Sequence, residues 1–383
     1  MTSPLGVGII GCGNISTAYF RLTPLFRGLE IRACADRFPE AAAAQAKAFN
    51  VRAESVDALL ADPEIDIVIN LTIPEAHFPV SLAAIEAGKH VYSEKPLALS
   101  LADGLALRVA AEAQGLKVGS APDTFLGGAH QLARRLIDSG TVGTITSGTA
   151  HVMSHGMEMW HPNPDFFFLP GAGPILDLGP YYVANLINLL GPVTRVGALS
   201  GMATPTRTIT TDGPRKGEEI PVRTPTTLHA LLQFANGATV TLGASWDVWA
   251  HRHGPMELYG TEGTLFVPDP NWFGGTVEAA GRDGKIVDAG GWEHPFSLPN
   301  DHRPSGGFAN YRGAGLADMA AAIREGREAR CALDRTIHGL DILTAILASG
   351  ETGDFVTLQT TCTRPDPLPP EEARALLLPE QSA

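Results

Sequence analysis

The chain has 383 residues, of which 44% are hydrophobic and 18% charged, with a formal net charge of -13. That length admits two or three domains of about 150 residues each, and the composition is that of a globular chain with ample core, not of a disordered one. The acidic balance, without a Lys/Arg run, gives no electrostatic footprint for nucleic acid or an anionic membrane, and no run of about 18 apolar residues is present to span a bilayer.

Short apolar runs at Val7–Ile10, Ile31–Ala35, Ile65–Leu71, His90–Ser93 and Lys117–Ser120 predict strands, and their weak polar alternation suits strands covered on both faces. Between them, Ala-rich stretches predict helices over Glu40–Phe49, Val80–Ala87 and Leu101–Gln114. Such alternation implies βαβ units and a parallel sheet. The rhythm changes after Asp123, so residues 1–123 read as one domain and 124–383 as another. In the second, a helix is predicted over Gly127–Asp138, a strand around Ile145–His155, and a helix over Ile175–Leu190 stopped by Gly191-Pro192. Strands follow at Thr227–Phe234, Ala238–Ser245 and Met256–Tyr259, with Asn236-Gly237 as a hairpin turn between the first two. Thr204–Thr226, rich in Pro, Thr and charge, reads as a surface loop. Helices return at Leu316–Arg324 and Ile337–Ser349, and the Pro-rich tail after Arg364 reads as an arm or a frayed end. The fold class expected is α/β: an N-terminal Rossmann-type doubly wound parallel sheet, then an α+β domain on a large, mostly antiparallel open sheet.

Cys12, Cys34, Cys331 and Cys362 are scattered, without a C-x-x-C pair or zinc-ligand spacing, which reads as reduced thiols. The glycine-rich turn begins so near the N-terminus that no secretory leader is expected, and the compartment expected is the cytoplasm.

The run Gly8-Ile9-Ile10-Gly11-Cys12-Gly13-Asn14-Ile15-Ser16 lies where the first strand turns into a helix. Gly11 permits the tight turn, and Gly13 leaves backbone that a pyrophosphate can approach. The helix that follows offers free N–H groups to phosphates, and Ser16 stands at the motif's third glycine. Alone, such a turn is often merely a turn. Its context adds Asp36 at the end of the second predicted strand, where a carboxylate accepts hydrogen bonds from a ribose diol and repels a 2′-phosphate; the plainer alternative is a solvent-facing Asp. Arg37 beside it can stack on adenine or pair with a 2′-phosphate, so NAD is the expected cofactor and NADP stays open.

Ser93-Glu94-Lys95-Pro96 closes the predicted strand from His90, and strand C-termini are where doubly wound sheets hold ligands. A surface lysine is the competing reading. Together with Thr72-Ile-Pro-Glu-Ala-His77, Ala87-Gly-Lys-His-Val-Tyr-Ser-Glu-Lys-Pro-Leu97 and Gly173-Pro-Ile-Leu-Asp-Leu-Gly-Pro-Tyr-Tyr182, the sequence resembles the Gfo/Idh/MocA family of sugar and cyclitol oxidoreductases.

That resemblance implies a pyrophosphate turn at Gly11, Gly13, Asn14 and Ile15, and a further cofactor loop at Thr72, Pro74 and His77. It places Glu94 beside the nicotinamide ribose, Lys95 on the reacting oxygen and Asp177 as the helix aspartate. Ile73 replaces a frequent proline, and Tyr181 stands where the family usually has histidine. Asp177 and Tyr181 share one helix face by i, i+4 spacing. A phenol can shuttle a proton when a neighbouring cation favours its ionised form, and Lys95 is a candidate for that cation. Alternatively Tyr181 packs, and His155 or His161 serves. No Asp, Glu or Cys completes a ligand set around His151, His155 and His161, so no metal is expected and hydrogen bonding to hydroxyls in a polar pocket is the preferred role. Trp160, with Phe166–Phe168, either stacks on a sugar face or packs its loop.

The function expected is hydride transfer between NAD(P) and a hydroxyl or carbonyl of a sugar, sugar derivative or cyclic polyol, with Lys95 and Tyr181 or a histidine taking the hydroxyl proton and Asp177 orienting the lysine. An NAD-dependent glycosidase that oxidises a ring transiently is the alternative; a non-enzymatic dinucleotide sensor is disfavoured by Lys95 and Asp177. An uncovered sheet face and the resemblance both lead us to expect a homodimer or homotetramer.

Overall fold

Glycine turns and apolar runs near the N-terminus build a first sheet of strands β1 (Leu5–Ile10), β2 (Leu29–Ala35), β3 (Arg52–Glu54), β4 (Ile67–Asn70), β5 (His90–Ser93) and β6 (Val118–Ser120). Their order is β3-β2-β1-β4-β5-β6, all parallel. Helices α1 (Ser16–Leu22), α2 (Pro39–Phe49), α3 (Val56–Ala61), α4 (Pro74–Glu86) and α5 (Leu101–Gln114) make the crossovers. This is the dinucleotide-binding strand order, and it reverses between β1 and β4, which opens a crevice at their C-terminal ends. The computed structural model describes residues 3–303 and 306–379. The short pair β3 and α3, too brief to give a periodic signal, was not legible in the sequence, although Ser55 caps α3 by accepting from Ala58 N–H at 3.1 Å.

The remaining elements are α6 (Gly128–Asp138), β7 (Ile145–Met153), α7 (Pro174–Asp177), α8 (Gly179–Leu190), β8 (Val193–Gly201), β9 (Thr206–Thr208), β10 (Glu219–Pro221), β11 (Thr227–Phe234), β12 (Thr239–Ser245), β13 (Met256–Gly260), β14 (Thr264–Val267), β15 (Glu278–Ala280), β16 (Ile286–Asp288), β17 (Asp301–Arg303), β18 (Gly306–Phe308), α9 (Ala314–Glu325), α10 (Leu333–Thr352), β19 (Val356–Thr357) and α11 (Pro370–Leu376). Nine of these strands form one sheet in the order β16-β15-β14-β13-β7-β12-β11-β8-β19, in which only the β7–β12 pair is parallel. One face packs on α8 and α10, with Val196, Leu228, Val240 and Leu258 buried against Leu186, Ile342 and Ile346. The other face leaves Leu199 71% and Leu231 49% exposed. Among the described residues no helix is long and apolar enough to cross a membrane.

Three expectations need correction. The helix expected over Ile175–Leu190 is two helices, because Pro180 has no N–H to donate and disfavours helical continuity just before it. Asp177 and Tyr181 therefore sit on either side of a break and not on one face of one helix. The Thr204–Thr226 segment is not a plain surface loop: β9 and β10 pair, and Ile209, Ile220 and Val222 close a small core with Met157, Phe168 and Trp246. Its alternation was too short to stand out among the charged residues. The tail after Arg364 is not frayed either. Leu368, Ala373 and Leu376 are buried in the same core as Phe26, Phe296 and Leu316, and Leu378 N–H donates to Leu25 O at 2.8 Å. Prolines that stop regular structure still leave apolar side chains free to bury.

Because Leu368 is fully buried within that core, Leu368→Ala is expected to cost about 2–5 kcal/mol of unfolding free energy, measured by urea denaturation. A cost below about 0.5 kcal/mol, the level of an ordinary surface change, would show that the arm is not part of the cooperative fold.

Candidate active site

The crevice is built on backbone that only glycine allows. Gly11 has φ +102°, and a Cβ there would lie 2.5 Å from the Leu71 carbonyl carbon, so the turn after β1 closes directly on the end of β4. At Gly13 a Cβ would meet nothing within 4 Å: the turn faces open space, as a turn that admits a phosphate must. Asn14 is exposed and Ile15 partly so. Asp36 folds back on this turn, accepting Cys12 N–H at 2.7 Å on Oδ2 and Phe38 N–H at 2.9 Å on Oδ1. A carboxylate has further lone pairs for a ribose diol, so these residues fit a dinucleotide. The Arg37 guanidinium lies 4.5 Å from the Phe38 ring centre.

The next loop is pinned from within. Asn70, at the end of β4, donates to His77 O at 2.9 Å and to Ser81 Oγ at 3.0 Å, and its Oδ1 accepts from Thr72 Oγ1 at 2.7 Å. Pro74 opens α4 at a position that needs no N–H. His77 is buried, with Nδ1 2.6 Å from Pro96 O and Nε2 3.0 Å from Thr72 O, so its ring ties this loop to the peptide after Lys95. Glu94 is anchored in turn: Oε1 accepts from Tyr19 Oη at 2.9 Å and Oε2 from Lys95 N–H at 3.0 Å.

Lys95 reaches from the first sheet to the second half of the chain. Its Nζ donates to Asp177 Oδ1 at 2.9 Å and to Asp177 O at 2.6 Å, and lies 5.3 Å from the Tyr181 ring centre. Pro96, Leu97, Pro122, Val183 and Leu340 make the neighbourhood apolar. Burial works to lower the lysine's proton affinity, yet Asp177, with Tyr181 and Glu94, holds it above the ordinary value. The group is thus an ammonium at neutral pH. Despite the break before α8, Asp177 and Tyr181 converge on one nitrogen.

Asp177 is positioned by a chain of backbone bonds: its N–H donates to Gly173 O at 3.0 Å, and Gly173 N–H to Phe167 O at 3.0 Å. Gly173 has φ +87°, and a Cβ there would lie 3.1 Å from Pro225 O. The aromatic segment is thereby fastened to the aspartate. Trp160 is 60% exposed, edge-on to His161 at 5.5 Å, and His161 also packs against Phe166 and Phe167. His155 lies just beyond β7, stacked on Trp249 at 3.5 Å, with Nε2 3.3 Å from Arg207 Nη1. Burial and Arg207 push its pKa down. Among the described residues no hydrogen bond or ion pair joins His155, Trp160 or His161 to Lys95, Asp177 or Tyr181, and no group of three His, Cys, Asp or Glu side chains is placed to hold a metal.

Four residues of this region escaped the sequence reading: Tyr19, Asn70, Asp123 and Arg312. Asn70 and Asp123 end strand-like runs, a weak signal for a ligand-side position; Tyr19 and Arg312 belong to no motif. Asp123 is 2% exposed and accepts the Gly313 and Gly315 N–H groups on Oδ2 at 2.9 and 3.0 Å. Burial pushes its carboxyl from 3.8 up to about 6, against the pull of those donors and of Arg312.

A glycine turn, a strand-end carboxylate and a strand-end lysine on a doubly wound sheet define a dinucleotide-dependent enzyme scaffold. Residues 5–121 match the oxidoreductase family described by its NAD-binding Rossmann fold, and residues 130–266 match the GFO/IDH/MocA C-terminal domain. The chain belongs to the Gfo/Idh/MocA family of oxidoreductases and binds NAD through its Rossmann half. Levoglucosan dehydrogenase of Pseudarthrobacter phenanthrenivorans is 26% identical over 68% of this chain and 73% of its own. The dTDP-3,4-didehydro-2,6-dideoxy-alpha-D-glucose 3-reductase of Saccharopolyspora spinosa is 28% identical, over 71% and 78%. A levoglucosan dehydrogenase solved in complex with NADH superposes with a TM-score of 0.80 at 22% identity, covering 94% of this chain and all of that one. The aldose-aldose oxidoreductase from Caulobacter crescentus gives 0.73 at 24%, covering 93% of this chain and 100% of that one. These two superpositions show a shared fold.

The Asp123 carboxyl makes stability depend on pH in a set direction. Because its folded value is raised, its contribution is full below about pH 4 and is lost as pH rises through about 6. The stability of the wild type relative to Asp123→Asn should therefore fall between those limits, by up to about 3 kcal/mol, and be flat above. Urea melts of both proteins across that range check it; a pH-independent difference would refute it.

Proposed function

We propose that the protein oxidises a hydroxyl of a sugar, sugar derivative or cyclic polyol, or reduces the matching carbonyl, in the crevice beside Lys95. The observation that carries this reading is the Lys95–Asp177 contact, an ammonium kept charged in apolar surroundings at the end of β5. Bound nicotinamide supplies the hydride chemistry. The chain's own groups handle the oxygen and its proton.

Lys95 holds its proton too tightly to be the base, so its role is to donate to the substrate oxygen as negative charge grows there. Tyr181, beside that ammonium, accepts the hydroxyl proton in oxidation and returns it in reduction. Asp177 keeps the ammonium charged and aimed. Glu94 is fixed by Tyr19 and by the Lys95 N–H, and Gly11, Gly13, Asn14 and Ile15 receive the pyrophosphate while Asp36 takes the ribose diol. Trp160 and His161 supply a face and a hydrogen-bonding edge for a carbohydrate. The named activities of relatives, acting on levoglucosan, a dideoxy sugar nucleotide or inositol, support this substrate class. The uncovered face with Leu199 and Leu231 suits a second copy of the chain.

Screening anhydrosugars, aldoses and cyclitols with NAD, by absorbance of NADH, tests the activity. With a substrate so found, Lys95→Met should bind NAD within a few fold of wild type and lose about two to four orders of magnitude in turnover, with Asp177→Asn less impaired. Near-wild-type turnover by Lys95→Met would remove the lysine from the chemistry. Light scattering at micromolar concentration should give a dimer or tetramer; a monomer there would refute the role given to the open face.

A further inference from the structure

The segment that follows β7 turns aromatic rings to solvent and is at the same time held hard in place. Trp160 is 60% and Phe166 53% exposed, and between them stands His161, edge-on to them at 5.5 and 5.6 Å and to Phe167 at 5.4 Å. Phe168 is fully buried, edge-on to the buried Trp246 at 5.7 Å. The N–H groups of Thr210 and Thr211 both donate to Glu158 O, at 3.0 and 3.2 Å, and Arg223 N–H donates to Phe168 O at 2.8 Å. Arg215 grips Asp165 with two bonds, Nη1 to Oδ2 at 2.6 Å and Nη2 to Oδ1 at 3.0 Å, and Glu218 with two more at 2.8 Å. The β9–β10 pair and its connection thus buttress the rings. Exposed rings on so rigid a mount gain their burial from something outside the chain.

This platform adjoins the reacting centre. Gly173 joins the two, its N–H donating to Phe167 O and its O accepting from Asp177 N–H, both at 3.0 Å. A Cβ on Gly171 would lie 3.4 Å from Leu99 Cδ1, four residues past Lys95. The ring that reacts lies at Lys95, so a group that covers Trp160 and Phe166 is a second ring joined to it. The surroundings set its chemistry. Flat apolar faces suit the C–H side of a sugar or an aryl group. Between them, His161 Nδ1 accepts Asn163 N–H at 3.1 Å, which makes Nε2 a donor for a hydroxyl. We infer that the substrate is a glycoside, with its reacting sugar at Lys95 and its second ring, sugar or aryl, on Trp160, His161 and Phe166, which rests on the reading of Lys95 as the reacting centre.

Calorimetric titration of the protein saturated with NADH, which leaves a sugar hydroxyl unoxidised, reads the platform without turnover. Methyl α- and β-D-glucopyranoside and methyl β-D-galactopyranoside are the one-ring references. Maltose, cellobiose and lactose are the matching disaccharides, and the corresponding phenyl glycosides carry an aryl ring instead. In at least one series a two-ring ligand should bind about five- to tenfold tighter than its methyl glycoside, and the better of the two shows whether the second ring is sugar or aryl. Phe166→Ala, at an exposed position that does not endanger folding, should bring that ratio to within about twofold of unity, while Phe166→Tyr, which keeps the ring, retains it. Two-ring ligands that bind no tighter than their methyl glycosides in every series, or a ratio that survives both Trp160→Ala and Phe166→Ala, overturn the inference. So does a smaller assembly of Phe166→Ala in light scattering, because the rings then cover a second copy of the chain. NADH formation from the same ligands with NAD separates this from the reading beneath it. A two-ring ligand that binds in the expected pattern but is never oxidised sinks hydride transfer at Lys95 and leaves the second-ring site standing. Oxidation of one- and two-ring sugars at equal kcat/KM sinks the second-ring site alone.

Discussion

Burial works against the charge of the Lys95 ammonium unless a carboxylate reaches it, and here the carboxylate comes from the other half of the chain. Lys95 ends a strand of the parallel sheet, and Asp177 ends a single helical turn that covers the nine-stranded sheet. Removing either partner of this partly buried pair leaves an uncompensated charge, at a cost below the roughly 3–5 kcal/mol of a fully buried one. The pair is one of several ties between the two halves, beside Leu333 and Ile337 of α10 buried in the core of the first sheet. Much of the local sequence serves it: Gly173 admits the close approach of Pro225, and Pro180 ends α7 so that Asp177 and Tyr181 can both face one nitrogen.

Around that contact the loops at the strand ends are ordered by their own hydrogen bonds. Asn70 holds Thr72 and the carbonyl of His77, His77 reaches the carbonyl of Pro96, and Tyr19 holds Glu94. The last two links join a residue on the dinucleotide side to a neighbour of Lys95. Order that exists before a ligand arrives need not be created at the moment of reaction, and this is where a rigid crevice contributes to rate. The same economy explains why His77 and Glu94 matter although neither side chain is free.

The first sheet was readable because its signals are local. Apolar runs, a glycine turn and a strand-end carboxylate lie within a few residues of one another, so β1 to Asp36 and Glu94-Lys95-Pro96 could be placed from the chain alone. Gly313 and Asp123 meet only because a peptide nearly two hundred positions away folds back over β6; no spacing announces such a meeting. The break at Pro180 was visible as a proline but was outweighed by the apolar run that continues through Leu190. In Thr204–Thr226, charge and proline masked two short strands, and the buried Arg207, paired with Glu158 and Asp247, looked like surface. Local pattern reports element type, whereas burial of polar groups is decided by partners that the pattern does not see.

The C-terminal arm has a consequence for how this molecule is made. Leu368 and Leu376 fill a core that also holds Phe26 and Tyr19, residues of the first strand-and-helix unit. During synthesis that unit emerges long before these covering residues do, so part of its apolar side stays exposed until Leu368 and Leu376 have been added. The parallel sheet can form early, but this flank is fully sealed only once Leu368 and Leu376 have joined Phe296 and Leu316 over it. A chain cut short before Leu368 is therefore left with one hydrophobic flank bare.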